Sequence, residues 1–336
     1  MLYAEEDKLI FRFDDHLLWI EPWSNNAFRI RATKLAAMPT EDWALSKPDP
    51  DSSSQESKPA AISLPADKES EASITNGKIR AVVTKRGKLT IYNSQTNKKL
   101  LEEYARHRRD PTDPKCSALE IEARELRPIP GTSDFHLTMR LESLDAREKI
   151  FGMGQYQQPG LNLKGGDIEL AHRNSQASVP FALSSLGYGL LWNNPGIGRA
   201  VLGTNTMSFE AYSTKALDYW VVAGDGPAEI EEAYASVTGY VPMMPEYGLG
   251  FWQCKLRYWN QEQLLDVARE YKRRNVPLDV IVCDFFHWKH QGDWKFDPEF
   301  WPDPGTLQEK TVVGDGRIAN GVFSEWQMQW SKSSKI

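Results

Sequence analysis

The run Leu278-Asp279-Val280-Ile281-Val282-Cys283 constrains the fold of this chain more than any other stretch. It is nearly continuous apolar and β-branched sequence, the pattern of a parallel strand covered on both faces. Parallel strands cannot be joined by a tight hairpin and need a crossover, usually a helix. The residues just before the run supply one. Tyr247-Gly248-Leu249-Gly250-Phe251-Trp252 reads as a first short strand, and a polar, aromatic connection leads to Asn260, an N-cap residue type. Gln263 stands where it can reach back and complete a capping box. Leu264, Val267, Ala268 and Tyr271 then recur at the i, i+3, i+4, i+7 spacing of a half-buried helix, which ends near Asn275-Val276-Pro277. Strand, helix and strand are therefore predicted in that order.

Asp284 follows the second strand directly, succeeded by Phe285-Phe286-His287-Trp288 and a loop holding Asp293, Trp294, Asp297 and Trp301. In α/β folds the carboxyl ends of parallel strands face the ligand crevice. A carboxylate that accepts hydroxyl hydrogen bonds beside indole and phenyl faces suits a carbohydrate, which offers hydroxyls around an apolar ring face. The same Asp is equally an ordinary helix cap or turn former. A pair of Asp284 with Asp293 or Asp297 as acid and base is a further reading, and the spacing of those carboxyls would decide it.

Most of the chain before Pro245 is predicted as short strands. Asn76-Gly77 and Arg86-Gly87-Lys88 separate three β-prone runs within Ala72 to Tyr92, a meander of hairpins. Strands resume from Ser133 to Ala223, and frequent short strands of this kind argue for a sandwich. Two breaks interrupt them. Between Ser46 and Glu71 the composition turns to Pro, Ser, Lys, Asp and Glu, a predicted solvated insertion, and Arg106 to Lys115 is a second exposed loop. Pro227 to Val237 closes the β-rich part as a helix with Pro at its first position and Ile230, Ala233, Tyr234 and Val237 along one stripe.

Composition excludes several classes. The 336 residues are 40% hydrophobic with a mean hydropathy of −0.53, and no run is long and apolar enough to span a bilayer. A formal charge of −6 without a basic stripe argues against nucleic acid as a partner. Cys116, Cys254 and Cys283 form no close pairing motif, and the six His residues are scattered, so neither a disulfide framework nor a metal site is predicted, and no cofactor is expected. Cys254 and Cys283 read as packing thiols. Gly152-Met153-Gly154 lacks the third Gly and the helix of a dinucleotide fingerprint. Met1 to Asp15 has charges from Glu5 onward and no apolar core, so no signal peptide is predicted and a cytoplasmic location is expected.

The residues also carry a family resemblance. Gly250-Phe251-Trp252-Gln253, Val282-Cys283-Asp284-Phe285-Phe286-His287-Trp288, and Gly292-Asp293-Trp294-Lys295-Phe296-Asp297-Pro298 through Trp301-Pro302-Asp303-Pro304 resemble glycoside hydrolase family 31, in particular its α-xylosidase-like and α-glucosidase members. Phe151-Gly152-Met153-Gly154-Gln155-Tyr156, Arg173-Asn174, Val179-Pro180-Phe181 and Trp192-Asn193-Asn194-Pro195 resemble that family's N-terminal β-sandwich. The resemblance implies a mainly β plus α/β chain: a galactose-mutarotase-like β-sandwich over 1–245, the first β-α-β segment of an incomplete (β/α)8 barrel over 246–304, and a tail over 305–336 that departs from the family. The implied activity is retaining hydrolysis of α-xylosides or α-glucosides on a small sugar substrate. It also implies that the two catalytic Asp residues belong to later strands whose motifs do not occur here, so a truncated, inactive form is expected, or else a catalytically silent carbohydrate-binding fragment. By the same resemblance Asp284 binds sugar hydroxyls, with Phe286, His287, Trp288 and Trp294 beside it. Cys254, Lys255 and Arg257 after the first strand, and Gln155 and Tyr156 from the sandwich, are expected to contribute. The choice between xylose and glucose, and the oligomeric state, stay open.

Overall fold

The computed structural model describes residues 1–46, 59–65, 71–107, 119–284, 287–290, 293, 295–305 and 322–323. They fall into two compact units, Met1–Val241 and Pro242–Ile336.

The described strands of the first unit begin with β1 (Leu2–Glu5), β2 (Lys8–Phe13), β3 (His16–Pro22), β4 (Ala27–Thr33), β5 (Ala61–Ser63), β6 (Ala72–Asn76), β7 (Ile79–Val83), β8 (Leu89–Asn93) and β9 (Lys99–Glu102). They continue with β10 (Arg124–Pro128), β11 (Phe135–Glu142), β12 (Ile150–Gln155), β13 (Asp167–Leu170), β14 (Ala177–Ser184), β15 (Tyr188–Trp192), β16 (Gly198–Leu202), β17 (Thr206–Thr214) and β18 (Leu217–Ala223), followed by helix α1 (Pro227–Thr238). Three antiparallel sheets result, in the orders β1-β2-β3-β4-β18-β15-β14-β12, β10-β11-β17-β16-β13 and β5-β6-β7-β8-β9. One apolar core draws on all three, with Leu9, Ile20 and Ile30 meeting Ile74, Ile79 and Ile91 of one sheet and Leu137, Met139 and Phe209 of the other.

Strand β18 shows how the sequence builds this unit. Every residue from Leu217 to Ala223 is buried, although its neighbours β4 and β15 are antiparallel. Leu217, Tyr219, Val221 and Ala223 point into the main core, while Trp220 and Val222 point the other way, into a second cluster beneath α1. The predicted stripe of α1 covers that side: Ile230 and Val237 are buried there, Ala233 and Tyr234 pack against them, and Tyr234 stacks on Phe181 at 4.1 Å. Asp218 shares the outward side and is held by the buried Arg29, whose Nε and Nη2 donate to its two oxygens at 3.1 and 2.6 Å.

The predicted hairpin between β6 and β7 forms, with its turn one residue later than Asn76-Gly77: Asn76 ends β6 opposite Ile79, and Gly77, at φ 56°, and Lys78 make the turn. The expected solvated insertion holds a strand. β5 pairs with β6 (Ala61↔Thr75), because Ile62 supplies a side chain that packs against the main core. The rest of that insertion, at 47–58 and 66–70, lies outside the described residues. Among the strands predicted between Ser133 and Ala223, β12 carries a bulge between Gly152 and Gly154.

The second unit contains β19 (Trp252–Gln253), α2 (Gln261–Arg273), β20 (Val280–Val282) and β21 (Val322–Phe323), a parallel sheet in the order β19-β20-β21. The first predicted strand is mostly not one. Glu246–Leu249 forms a 3-10 turn, closed by Gly248 N–H to Pro245 O at 2.9 Å and Gly250 N–H to Tyr247 O at 3.2 Å. Pairing starts only after Gly250, whose missing Cβ makes room for the Asp279 carboxylate that accepts the Phe251 N–H at 2.7 Å. Helix α2 begins as predicted at Asn260, whose Oδ1 accepts from Gln263 N at 2.9 Å. Gln263 completes the cap differently: its Oε1 takes the Trp259 N–H, at 2.7 Å, rather than that of Asn260. Beyond Pro304 the tail was expected to hold no barrel sequence, yet β21 pairs in parallel with β20 (Ile281↔Val322, Val282↔Phe323).

Candidate functional site

In the second unit Trp252 is opposite Val280 and Gln253 opposite Ile281, so the residues just beyond β19 and β20 leave the sheet along the same edge. Burial then alternates. Ile281 and Cys283 pack inward with Leu264 and Leu265 of α2, while Asp284 is exposed. From the neighbouring strand end, the exposed Cys254 thiol donates to Asp284 Oδ2 at 3.5 Å.

The acidic and aromatic loop is fastened beneath this edge. Trp301 is 1% exposed and joins the core of Tyr258, Leu264, Leu265, Ile281 and Cys283. The Phe300 carbonyl accepts the Gln261 N–H at 2.9 Å, and Gln261 Oε1 accepts the Asp303 N–H at 3.0 Å, so the first residue of α2 grips the loop from both sides. Asp297 donates its N–H to the His287 carbonyl at 2.8 Å, accepts the Trp301 N–H at 2.8 Å on its own carbonyl and caps Glu299 N at 3.0 Å through Oδ1. It is a turn former.

His287 is 2% exposed. Its Nδ1 donates to the Asp284 carbonyl at 3.3 Å, closing the turn that carries the carboxylate, and its ring lies 4.7 Å from Trp288, edge to face, and 4.9 Å from Phe296. A carbonyl can only accept, so Nδ1 carries the proton. Nε2 is buried with no hydrogen-bond partner among the described residues, and burial holds the imidazole pKa below its ordinary value. His287 thus packs inside the unit behind Asp284. Burial and the nearby Asp284 charge push the Cys283 thiol up to about 12, and burial first, then the bond to Asp284, raises that of Cys254.

Of the other predicted residues, Trp288 is half-buried against His287, and Lys255 is exposed on the connection after β19. Arg257 lies over the Trp259 ring, 3.3 Å from its centroid. Phe286 and Trp294 lie outside the described residues. Gln155 and Tyr156 belong to the first unit. Gln155 is exposed at the end of β12, and Tyr156 is half-buried with its hydroxyl 2.7 Å from Ser178 Oγ, its phenol pKa raised by burial. Sequence reasoning passes over Gln261, and it offers Cys254 both as a packing thiol and, with Lys255 and Arg257, as part of the pocket. The spacing of Cys254 to the start of α2 contains nothing that announces a bond to Asp284, which depends on the two strands being paired. Among the described residues no group of three His, Cys, Asp or Glu could hold a metal ion, and no helix is long and apolar enough to cross a membrane.

Residues 17–198 match the galactose mutarotase-like N-terminal domain of glycosyl hydrolase 31, and residues 241–316 match the TIM-barrel domain of glycosyl hydrolases family 31, running past Pro304. The chain belongs to glycosyl hydrolase family 31. It is 47% identical over 317 residues to a family 31 glucosidase of Pseudescherichia vulneris, covering 92% of this chain and 58% of that protein. It is 38% identical over 178 residues to α-xylosidase A of Aspergillus niger, covering 52% of this chain and 24% of the relative. Among solved structures, a family 31 α-xylosidase from a soil metagenome, complexed with xylose, superposes with a TM-score of 0.80 at 50% identity, covering 92% of this chain and 45% of that one. The chain thus spans roughly half the length, or less, of these relatives.

Proposed function

We propose that this chain serves the hydrolysis of α-xylosides or α-glucosides, with Asp284 accepting hydrogen bonds from hydroxyls of the sugar, and that the 336 residues by themselves recognise the sugar without cleaving it. The observation that carries this reading is the exposed Asp284 at the carboxyl end of β20, with the family's barrel match around it. A sugar presents donors, and an ionised carboxylate at a strand end is an acceptor held on a rigid element. The similarity to an α-xylosidase that binds xylose supports the choice of sugar class.

Retaining hydrolysis uses two carboxyl groups roughly 5 Å apart, one attacking the anomeric carbon and the other serving as acid and then base. Among the described residues, Asp284 is the carboxylate directly beyond a strand end of the parallel sheet, and its described side-chain bond comes from a thiol rather than from a second carboxyl. These observations support recognition rather than turnover as the reading. Titration of the purified chain with D-xylose and with D-glucose, followed by NMR, is expected to show binding. Asp284→Ala should weaken it about ten- to a hundredfold, the equivalent of losing a charged hydrogen bond of ~1.5–3 kcal/mol. An aryl α-xyloside should not be turned over. Absence of binding to either sugar removes the recognition reading, and turnover that disappears in Asp284→Asn would make Asp284 a catalyst instead.

A further inference from the structure

The bond between Cys254 and Asp284 joins side chains that are distant in sequence and meet only because β19 and β20 pair in parallel. Cys254 Sγ lies 3.5 Å from Asp284 Oδ2 and 3.8 Å from the Lys255 carbonyl. Both of those oxygens are acceptors, so the sulfur sits between two groups that want its proton and has no reason to give it up. Sulfur is a weak donor, but here it meets an ionised oxygen, the partner that strengthens such a bond. Asp284 is exposed. A carboxylate offers about four acceptor sites, and the thiol uses one of them.

We propose that Cys254 is a positioning residue of the Asp284 site: its thiol helps hold the carboxylate from the β19 side in the orientation a sugar hydroxyl meets, so that removing or alkylating the thiol loosens sugar binding. The contact between Cys254 and Asp284 is given by the geometry alone, whereas its consequence for sugar rests on the reading of Asp284 given above. Alkylation has two effects on the pair. It removes the S–H that donates to Oδ2, and it sets an uncharged thioether with extra bulk at the strand edge. No oxidant is involved; iodoacetamide forms the S–C bond and releases iodide, and the thiol proton goes to solvent.

The full 336-residue chain is carbamidomethylated with iodoacetamide across a range of pH, and each cysteine-bearing peptide is quantified by mass spectrometry, so that Cys254 is followed apart from Cys116 and Cys283. The thiolate is the reacting form. With Asp284 as partner, Cys254 should react late in the pH series. In Asp284→Ala its profile should move to lower pH, with a rate at about pH 8 at least threefold higher. Slow labelling of the buried Cys283 in every variant confirms that the second unit is folded. Cys254→Ala, and the alkylated chain, should bind D-xylose about three- to tenfold more weakly than the untreated chain, the loss of a modest hydrogen bond. An unchanged Cys254 profile in Asp284→Ala overturns the couple whatever the sugar does. A shifted profile with undiminished xylose affinity in Cys254→Ala overturns the positioning role. If the untreated chain does not bind xylose, the sugar reading of Asp284 fails, and the alkylation profile still decides whether the couple exists.

Discussion

Trp301 is the largest side chain in the core of the second unit, and its removal tests whether that core holds the Asp284 edge in place. It touches α2 through Leu264 and Leu265 and the central strand through Ile281 and Cys283, with the Phe296 ring 5.8 Å away. A buried indole takes ~200 Å² out of water, which at ~25 cal/mol per Å² is about 5 kcal/mol. That area counts from an extended chain and is an upper bound, and large-to-small changes of this kind cost about 3–5 kcal/mol. Trp301→Ala should therefore destabilise the second unit by about 3–4 kcal/mol, a population of opened molecules larger by more than a hundredfold. Trp301→Phe should behave differently. The indole Nε1 is buried without a hydrogen-bond partner among the described residues, so phenylalanine removes an unsatisfied donor together with part of the packing, and a cost below about 2 kcal/mol is expected. The assay is the rate at which Cys283, 2% exposed in the folded unit, is labelled by a thiol reagent under native conditions, since it reacts when the unit opens. The reasoning fails if Trp301→Ala labels as slowly as the unsubstituted chain, or if Trp301→Phe labels as fast as Trp301→Ala.

In the first unit, Asp218→Ala leaves Arg29, 1% exposed, with Asp42 as its remaining described carboxylate partner at 2.6 Å. Breaking a buried pair costs about 3–5 kcal/mol, and Asp42 places this one at the low end; a urea unfolding curve showing a loss below ~1 kcal/mol would refute it. His287, its pKa lowered by burial, binds its proton more readily unfolded than folded. The stability of the second unit should therefore be flat above the ordinary imidazole value of ~6.5 and fall as pH drops through the folded-state pKa, with Cys283 labelling as readout. His287→Gln should flatten that fall, and a slope of the same size in the variant would assign the acid sensitivity to another group. His16 of the first unit has a pKa lowered chiefly by burial as well, so a global melt would mix the two effects.

What the sequence makes legible depends on how strongly a residue type commits the backbone. Gly77 commits it strongly, because the positive φ of the β6–β7 turn suits glycine above other residues. The stripe of α1 and the cap at Asn260 are likewise local facts. By contrast, β13, Asp167-Ile168-Glu169-Leu170, alternates exposed and buried as a strand should, but its two acids hide the signal; it exists because it pairs with β16, where Arg199 binds Asp167. The opposite error falls at Tyr247–Trp252. Its apolar content suits a strand, and Gly248 and Gly250 instead let the chain turn once before pairing. At Gly152-Met153-Gly154, all three residues have positive φ (93°, 65° and 98°), and a Cβ on Gly154 would stand 2.1 Å from the Ala177 carbonyl. The glycines there are requirements of a bulge between β12 and β14 that only the paired strands reveal.

The site follows the same logic at finer scale. Asp284, His287, Trp288 and Trp301 stand close together in the sequence and share a composition suited to sugars, yet they divide into opposite roles according to which way each side chain leaves the sheet edge. Cys283 goes inward, Asp284 outward, and the turn closed by His287 Nδ1 on the Asp284 carbonyl returns the chain to the core, where His287 and Trp301 stay. Composition therefore identifies the loop, and strand phase selects within it. Asp284 remains exposed because the residues around it are committed to holding its backbone, and Cys254, across the β19–β20 ladder, approaches it because parallel pairing places the two strand ends side by side. On the function proposed above, the exposed carboxylate stands on a backbone fixed by the bond from His287, so that less of its ordering is left to ligand binding.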